Sequence, residues 1–289
     1  MDEITLKALA KINLGLDVVR RREDGYHEVR MIMQTIHLYD LLEIQKIREP
    51  EIQIVSNLSF LPVNENNLVY KAARLLQEEF ALTDGISVKL TKRIPVAAGM
   101  AGGSTDAAAM LYAMNQLYDL GLSRRELMKR GVQIGADVPY CLMRGTALAE
   151  GIGEKLTQLP PMIKCPVLIA KPSISVSTKF VYQKLDEQTN HPDIDALMKD
   201  IREKDFDGVC AHMGNVLESV TIPNYPVIAE IKQQMMRSGA KASMMSGSGP
   251  TVFGLFEDGE TAKRALREMK RSGLAKQVYL TTIYNNRRK

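Results

Sequence analysis

Apolar and polar residues alternate strictly at the start of the chain. In ITLKALAKINLGLDVV (residues 4–19), isoleucine, leucine and alanine occupy every second position as far as Leu16. Period two over this length predicts a half-buried strand, bent or bulged at Gly15. The same alternation puts Lys11 and Asn13 side by side on the other face of that strand.

The rest of the chain mixes strand and helix patterns, with a turn signal at EDGYH (23–27). Strands are predicted near residues 29–47 (interrupted near 39–40), 51–55, 86–94, 146–150, 166–171, 251–256 and 277–283. Helices are predicted near residues 67–80, 104–118, 123–134, 177–187, 193–203, 205–219, 225–238 and 259–272. This mixture indicates an α+β or α/β fold. Prolines at 160, 161 and 166 indicate a boundary between domains 1–158 and 159–289.

Composition narrows the class of protein. The 289 residues, 45% of them hydrophobic, suffice for one large or two ordinary soluble domains. A net charge of +4, from 38 basic and 34 acidic residues, suits small anionic ligands and is too weak to indicate nucleic-acid binding.

Cysteines, histidines and the N-terminus indicate the compartment. Three widely spaced cysteines (Cys141, Cys165 and Cys210) suggest no disulfide framework and fit a reducing environment. The four histidines show no spacing typical of a zinc site. The N-terminus lacks a signal-peptide pattern, and no run of about 18 apolar residues occurs. We therefore expect a cytoplasmic protein without a membrane partner.

A glycine-rich segment, PVAAGMAGGSTDAAAML (95–111), carries the clearest chemical signal. It lacks the lysine of a Walker A motif and the spacing of a dinucleotide fingerprint. Glycines at 99, 102 and 103 can adopt positive φ, and successive N–H groups at the start of a helix near Ser104 can form an anion-binding nest. The pattern favours phosphate binding over a plain helix cap made by Ser104 or Thr105.

Three other segments are compatible with ordinary structure when each is considered alone. Asp137, in GADVP (135–139), could cap a helix or a turn, and Lys11 could be an exposed lysine. The stretch SMMSGSGPTVFGLF (243–256) could be a tight turn that leads into a buried strand.

Taken together and in this order, the segments resemble the GHMP kinase superfamily, which includes galactokinase and the homoserine, mevalonate and phosphomevalonate kinases. Within it the chain is similar to the family of 4-diphosphocytidyl-2-C-methyl-D-erythritol kinases. The similarity covers essentially the whole chain, and the DGYH and GADVP segments are its most specific parts. The similar segments are 10–36, 94–111, 120–142, 149–156 and 245–256.

The resemblance implies a fold and a reaction. The fold is α+β, with an N-terminal ribosomal-protein-S5-like domain, a C-terminal ferredoxin-like α/β domain and the active site in the cleft between them. The reaction is ATP-dependent phosphorylation of the 2-hydroxyl of 4-diphosphocytidyl-2-C-methyl-D-erythritol, a step of the non-mevalonate isoprenoid precursor pathway. The expected cofactors are ATP and Mg²⁺, and the expected state is a monomer or homodimer.

The resemblance also implies roles for residues. Asp137 would be the catalytic base, and Lys11 would keep that carboxylate ionised while stabilising the transferring phosphoryl group. Asn13 would hydrogen-bond the acceptor, and Ser104 or Thr105 could reach Mg²⁺. The ATP phosphates would be wrapped by Pro95, Val96, Ala97, Ala98, Gly99, Met100, Ala101, Gly102, Gly103, Ser104 and Thr105.

The cytidine side of the site would involve Tyr26, His27 and Tyr182. A histidine can bond a pyrimidine edge, and an aromatic ring can stack on the base. The alternative is that Tyr26 and His27 have a purely structural role, at a hairpin tip that packs on its own strand. The late loop, residues 247–250, would pack against the active site and steady the phosphate loop without a catalytic step.

One departure from the family pattern affects the phosphate loop. The family usually has GLGGGSSDAA where this chain has GMAGGSTDAA. Met100 is a volume-conserving apolar replacement. Ala101 takes a glycine position, so we expect one opportunity for positive φ to be lost.

Three rival hypotheses remain open at this point. A homoserine or mevalonate kinase would share the ATP loop but would lack a cytidine site. A non-catalytic nucleotide sensor could keep the loop and lose the base or the lysine, although Asp137 and Lys11 are both present. An RNA-binding module is disfavoured by the near-balanced charge.

Overall fold

The two long strands expected from the period-two patterns are present. In the computed structural model, which describes residues 2–185 and 191–286, strand β1 is Glu3–Arg21 and β2 is His27–Ile47, without an interruption. The half-buried prediction for β1 is wrong for residues 8–16, which are buried on both faces. A Cβ on Gly15 would lie 2.8 Å from side-chain atoms of a later helix, so glycine at this position lets that helix pack closely.

The turn that the Asp-Gly pair predicts lies between β1 and β2. Gly25 has a φ of +84°, which glycine adopts without steric cost. The Asp24 carboxylate accepts a hydrogen bond from the Tyr26 N–H at 3.1 Å. The Arg22 N–H donates to the Tyr26 carbonyl at 2.8 Å and closes the turn.

The chain divides into two compact units, and both β1 and β2 contribute residues to each. The first unit comprises residues up to 10, 39–96 and 101–143. The second comprises residues 11–38, 97–100 and those from 144 onward.

The first unit combines a sheet with a group of helices. Its further elements are β3 (Ile52–Ser56), α1 (Leu68–Glu79), β4 (Gly85–Thr91), α2 (Gly102–Leu117), α3 (Arg124–Ile134) and α4 (Val138–Met143). Strand β4 pairs in parallel with β3 and antiparallel with the last part of β2. Helix α2 contacts α1, α3 and α4, and 11 of its 16 residues are buried. Its alanines allow this close packing because they are small and favour helix.

After residue 143 the second unit continues with two short strands. Strand β5 (Thr146–Gly151) pairs antiparallel with residues 29–34 of β2, and β6 (Lys155–Gln158) pairs with β5. The elements that follow are β7 (Pro166–Lys171), α5 (Thr178–Lys184), α6 (Ile194–Glu203), α7 (Phe206–His212), β8 (Gly214–Asn215), α8 (Glu218–Asn224), α9 (Val227–Arg237), β9 (Ala242–Met245), β10 (Val252–Leu255), α10 (Gly259–Ser272) and β11 (Gln277–Thr282). The last two residues of the helix predicted near 177–187 lie outside the described residues.

Four of these strands form a separate antiparallel sheet in the order β11-β7-β10-β9. Helix α9 precedes β9 in the chain, and α10 connects β10 to β11. This is the β-α-β-β-α-β arrangement of a ferredoxin-like domain, with additional helices before α9. The expected ferredoxin-like C-terminal part is confirmed. Within residues 2–185 and 191–286, no helix has the length and apolar character needed to cross a membrane.

The single helix predicted over residues 205–219 is wrong. Helix α7 ends at His212, and Met213 has an extended conformation with φ −60° and ψ 132°. Gly214 and Asn215 then form β8, which pairs in parallel with Gly15 and Leu16 of β1. Pairing with a strand distant in sequence overrides the local helical pattern, which period analysis within one segment does not detect.

Helix α2 begins two residues earlier than predicted and has an unusual start. Its N-cap is Ala101, which has a left-handed conformation with φ 56° and ψ 31° and makes no side-chain capping bond. The expectation that alanine at this position loses the positive φ is therefore wrong, because the backbone adopts it with alanine present. An L-residue with a Cβ is strained in this region by roughly 1–2 kcal/mol.

We predict that Ala101→Gly stabilises the protein by about 0.5–1 kcal/mol. Relief of the left-handed strain exceeds the entropy that glycine adds to the unfolded chain, which is roughly 0.5–1 kcal/mol. Urea unfolding measures the change. Ala229→Gly, in the ordinary helical turn of α9, is the matched control and should destabilise by about 1 kcal/mol. Equal destabilisation by both substitutions would contradict the assignment of strain to Ala101.

Candidate active site

The glycine-rich loop connects β4 to α2 and turns left-handed at three alternate residues. The φ values are 50° at Ala97, 71° at Gly99 and 56° at Ala101. The prediction of positive φ is confirmed at Gly99 and wrong at Gly102 and Gly103, which form the first turn of α2. Left-handed residues at alternate positions can direct neighbouring N–H groups toward one anion, and the N-terminus of α2 adds its partial positive charge.

Glycine at 102 serves close packing rather than a special φ. A Cβ at this position would lie 3.2 Å from a methyl carbon of Ile94 and 3.4 Å from the ammonium of Lys92. The start of α2 thus lies directly against the end of the preceding strand segment.

The late Gly/Ser loop contacts the glycine-rich loop at Gly99. The Ser246 hydroxyl donates a hydrogen bond to the Gly99 carbonyl at 2.9 Å, and a Cβ on Gly99 would lie 2.1 Å from the Ser246 carbonyl oxygen. The Asn215 amide in turn donates to the carbonyls of Met245 and Gly247, both at 2.8 Å. The prediction that this late loop packs on the phosphate loop is confirmed at Gly99.

Lys11 and Asn13 lie on one face of β1, as the alternation predicts. Both are buried, with relative exposures of 5% and 0%. The Lys11 ammonium donates to the Asn13 side-chain oxygen at 2.7 Å, and the Asn13 amide donates to the Met31 sulfur at 3.3 Å. The Lys11 N–H donates to the Met100 carbonyl at 3.2 Å. The structure therefore brings the predicted catalytic lysine to the predicted phosphate loop.

Asp137 directly precedes α4 and is half-buried. Its carbonyl accepts the first hydrogen bond of that helix, from the Cys141 N–H at 3.0 Å. In the same segment, a Cβ on Gly135 would lie 3.9 Å from the Ser104 hydroxyl of α2. The GADVP segment is thus adjacent to the end of the phosphate loop. The pairing of Asp137 with Lys11 stays a prediction.

The structure brings together two of the three residues predicted for the cytidine. The rings of His27 and Tyr182 have centroids 5.1 Å apart and planes inclined by 45°. Burial, with a smaller contribution from the charge of Arg21, lowers the pKa of His27 below its ordinary value. The ring is therefore neutral at pH 7. Tyr26 is 61% exposed at the hairpin turn rather than packed on its strand.

A buried cluster of three charged side chains was missed by the sequence analysis. The Lys92 ammonium bonds the Asp106 carboxylate at 2.5 Å and also forms an ion pair with Asp40. All three side chains are at most 3% exposed. We call these residues the Asp40–Lys92–Asp106 cluster.

A signal for this cluster is present in the strand patterns. Lys92 follows Ile86, Val88 and Leu90 at period two, and Asp40 takes the same kind of apolar position next to Leu42. In the sheet Leu42 is opposite Leu90, so the next inward positions bring Asp40 and Lys92 together. Two opposite charges on apolar faces of neighbouring strands indicate a buried ion pair.

Family models match both halves of the chain. The model described as GHMP kinases N terminal domain matches residues 67–145, and the model described as GHMP kinases C terminal matches residues 197–275. The chain covers nearly the full length of each relative described below.

Individual proteins are similar to nearly the whole of this chain. A 4-diphosphocytidyl-2-C-methyl-D-erythritol kinase from Lachnospira eligens is 60% identical over 286 residues, which are 98% of this chain and 99% of that protein. A kinase of the same name from a Geobacillus species is 48% identical over 98% of both chains.

Solved structures are similar as well. A crystal structure of 4-(cytidine 5'-diphospho)-2C-methyl-D-erythritol kinase is 31% identical with a TM-score of 0.85, and the match covers 98% of this chain and 100% of that one. Homoserine kinase from Cytophaga hutchinsonii shares the fold, with a TM-score of 0.78 at 22% identity over 98% of this chain and 95% of that one. The left-handed phosphate loop, the two-part fold and this full-length similarity lead to one conclusion: the chain belongs to the GHMP kinases and, among them, to the family of 4-diphosphocytidyl-2-C-methyl-D-erythritol kinases.

Proposed function

We propose that this kinase transfers the γ-phosphoryl group of ATP to the 2-hydroxyl of 4-diphosphocytidyl-2-C-methyl-D-erythritol, a step of the non-mevalonate isoprenoid precursor pathway. The observation that carries the proposal is the loop over residues 97–101, left-handed at alternate positions and bonded to the backbone of Lys11. The names of relatives that are 48–60% identical support the choice of acceptor.

The loop over residues 95–105 would bind the ATP phosphates. Backbone N–H groups at the left-handed turns and the first turn of α2 can donate to phosphate oxygens. No side chain there carries a positive charge, so binding would depend on the amides and on the helix terminus. Gly103 is exposed, which leaves the first turn of α2 accessible to a ligand.

Lys11 and Asp137 would carry out the proton and charge chemistry. The Asp137 carboxylate would accept the proton of the 2-hydroxyl as that oxygen bonds to phosphorus and the bond to the ADP oxygen breaks. The Lys11 ammonium would neutralise charge that spreads over the transferring group. Asn13 would hydrogen-bond the acceptor, and its side-chain oxygen also accepts from the Lys11 ammonium.

The residues at the start of α2 fit a Mg²⁺ ion that arrives with ATP. Mg²⁺ prefers oxygen ligands and usually takes only one or two from protein in nucleotide sites. Ser104 is half-buried and offers a hydroxyl, whereas Thr105 is 1% exposed. Ser104 would therefore hold the ion, which when bound neutralises phosphate charge.

The cytidine would bind at His27, Tyr182 and Tyr26. The neighbouring rings of His27 and Tyr182 offer an aromatic surface for the base. The neutral imidazole keeps both a donor and an acceptor nitrogen for the pyrimidine edge. The exposed Tyr26 ring would cover the ligand from the turn.

We also propose a domain boundary, a location and an oligomeric state. The domain boundary near residue 158 separates the segments matched by the two family models, which supports it. A cytoplasmic location and a monomeric or homodimeric state accord with a pathway enzyme that uses ATP and a small-molecule acceptor.

A panel of acceptors tests the proposal against a homoserine or mevalonate kinase. We expect ATP consumption with the cytidylylated methylerythritol and at least about 10³-fold lower kcat/KM with homoserine or mevalonate, because neither offers a base to His27 and Tyr182. The readout is ADP release with each acceptor. Turnover of homoserine or mevalonate, without turnover of the cytidylylated substrate, would overturn the proposed acceptor.

Asp137→Asn tests the base. We expect kcat to fall by roughly 10²-fold or more, because an amide cannot accept the hydroxyl proton, while the Kd for ATP stays within about twofold. The control is Asp207→Asn, which removes a carboxylate whose side chain is 76% exposed and should leave kcat unchanged. A near-normal kcat in Asp137→Asn would show that another group takes the proton.

His27→Ala tests the cytidine site. We expect the KM for the cytidylylated acceptor to rise about tenfold, the effect of one lost hydrogen bond, and the KM for ATP to stay constant. In the unaltered enzyme, the acceptor KM should also rise at acidic pH, because protonation of His27 removes its acceptor nitrogen. Because the pKa of His27 is lowered, this rise should occur below the ordinary histidine pKa of about 6.5. The variant should lose that rise. An equal effect on ATP would contradict the assignment.

A further inference from the structure

We propose that the Asp40–Lys92–Asp106 cluster positions the phosphate loop for ATP by fixing both of its ends. The proposal rests on the proposed function, since it assigns these residues to the binding of the same triphosphate. None of the three would touch ATP; each would act through the backbone of residues 93–105.

Asp40 fixes the entry to the loop. One of its carboxylate oxygens accepts hydrogen bonds from the backbone N–H groups of Arg93 and Ile94, the latter at 2.8 Å. Its other oxygen binds the Lys92 ammonium. β4 ends at Thr91, so these bonds replace the sheet pairing that the next residues lack. On the other side of the chain, the Asn57 side chain pairs with the backbone of Lys92 at 2.8 and 3.2 Å.

Asp106 and Lys92 fix the exit from the loop. Asp106 is the fifth residue of α2, and its carboxylate accepts from the Lys92 ammonium. That ammonium would lie 3.4 Å from a Cβ on Gly102, so it sits against the first residue of the helix. One buried lysine therefore joins the end of β4, through Asp40, to the start of α2.

The left-handed conformation of the loop requires that both of its ends be held in place. Between the two fixed ends, Ala97 and Ala101 are left-handed although neither is glycine. Strained backbone of this kind persists only where the surrounding structure determines it. If either end were released, we expect the loop to relax toward ordinary φ values, and the N–H groups would no longer converge on a phosphate.

Burial and mutual interaction shift the pKa values of Asp106 and Lys92. Burial raises the pKa of Asp106 well above its ordinary value, against the attraction of Lys92 and with the repulsion of Asp40. Burial alone would lower the pKa of Lys92, but the two carboxylates raise it above its ordinary value.

A stabilising role is the alternative that the test must separate. Buried ion pairs are weak evidence for stability, because the cost of desolvating the charges offsets their attraction. A positioning role predicts that variants lose ATP affinity selectively. A purely structural role predicts that ATP and the acceptor are affected alike.

The experiment measures binding of a non-hydrolysable ATP analogue with Mg²⁺, and separately of the cytidylylated acceptor, by titration calorimetry on the full chain. For Lys92→Met we expect the Kd of the ATP analogue to rise at least tenfold and that of the acceptor to stay within twofold. The matched control is Lys89→Met, three residues earlier on β4, which breaks an exposed pair with Glu43 on β2 (2.9 Å). It should change neither Kd.

A second variant keeps the proposal falsifiable if Lys92→Met does not fold. Asp106→Leu preserves the Lys92–Asp40 pair and releases only the exit, and we expect the same selective tenfold loss for the ATP analogue. Asp106→Asn, which retains an oxygen for Lys92, should recover most of that affinity. Unchanged binding of the ATP analogue, or an equal loss for both ligands, would overturn the positioning role. No binding of the ATP analogue by the unaltered protein would instead overturn the proposed function, and the positioning role with it.

Discussion

The structure depends most on a loop backbone that must be held in a conformation it would not adopt alone. Three of five residues from Ala97 to Ala101 are left-handed, and only Gly99 among them lacks a Cβ. In the second unit, Ser246 holds the middle of this loop by bonding the Gly99 carbonyl. In the first unit, the Asp40–Lys92–Asp106 cluster holds the flanking segments. Side chains that are distant in the sequence therefore constrain the backbone of this loop.

Two buried lysines connect segments that are distant in the chain. The ammonium of Lys92 is bonded to the carboxylates of Asp40 and Asp106, so it joins the end of β4 to α2. The ammonium of Lys11 donates a hydrogen bond to the side-chain oxygen of Asn13, and the backbone N–H of Lys11 donates to the Met100 carbonyl. Lys11 therefore connects β1 to the glycine-rich loop.

Each unit brings residues from distant parts of the chain to the loop. In the second unit, β1 carries Lys11 to Met100, and the turn after β9 carries Ser246 to Gly99. In the first unit, the segment before α4 brings Gly135 close to Ser104. The β-α-β-β-α-β sheet of the second unit supports the late loop, because β9 and β10 are its flanking strands. Gly99, Gly247 and Gly249 in these loops have positive φ, which a residue without a Cβ adopts at little cost.

The sequence by itself predicted most of the helices and strands, the turn and the candidate residues, but it did not predict β6, β8, β9 or α4. Periodicity identified β1, β2 and α10 because the hydrophobic pattern within each segment reflects its burial. The DGYH, GADVP and glycine-rich segments identified Tyr26, His27, Asp137 and the loop through their likeness to a kinase family.

Tertiary structure alone decided four further features. It buried β1 on both faces and ended the helix predicted over 205–219 at His212, since strand pairing with residues about 200 positions away replaced local preference. It placed alanine in left-handed conformations at 97 and 101. It also joined Asp40, Lys92 and Asp106, which are separated in the chain and meet only through the sheet register. These features arise from contacts between distant segments, and the energy of such contacts is absent from any local pattern.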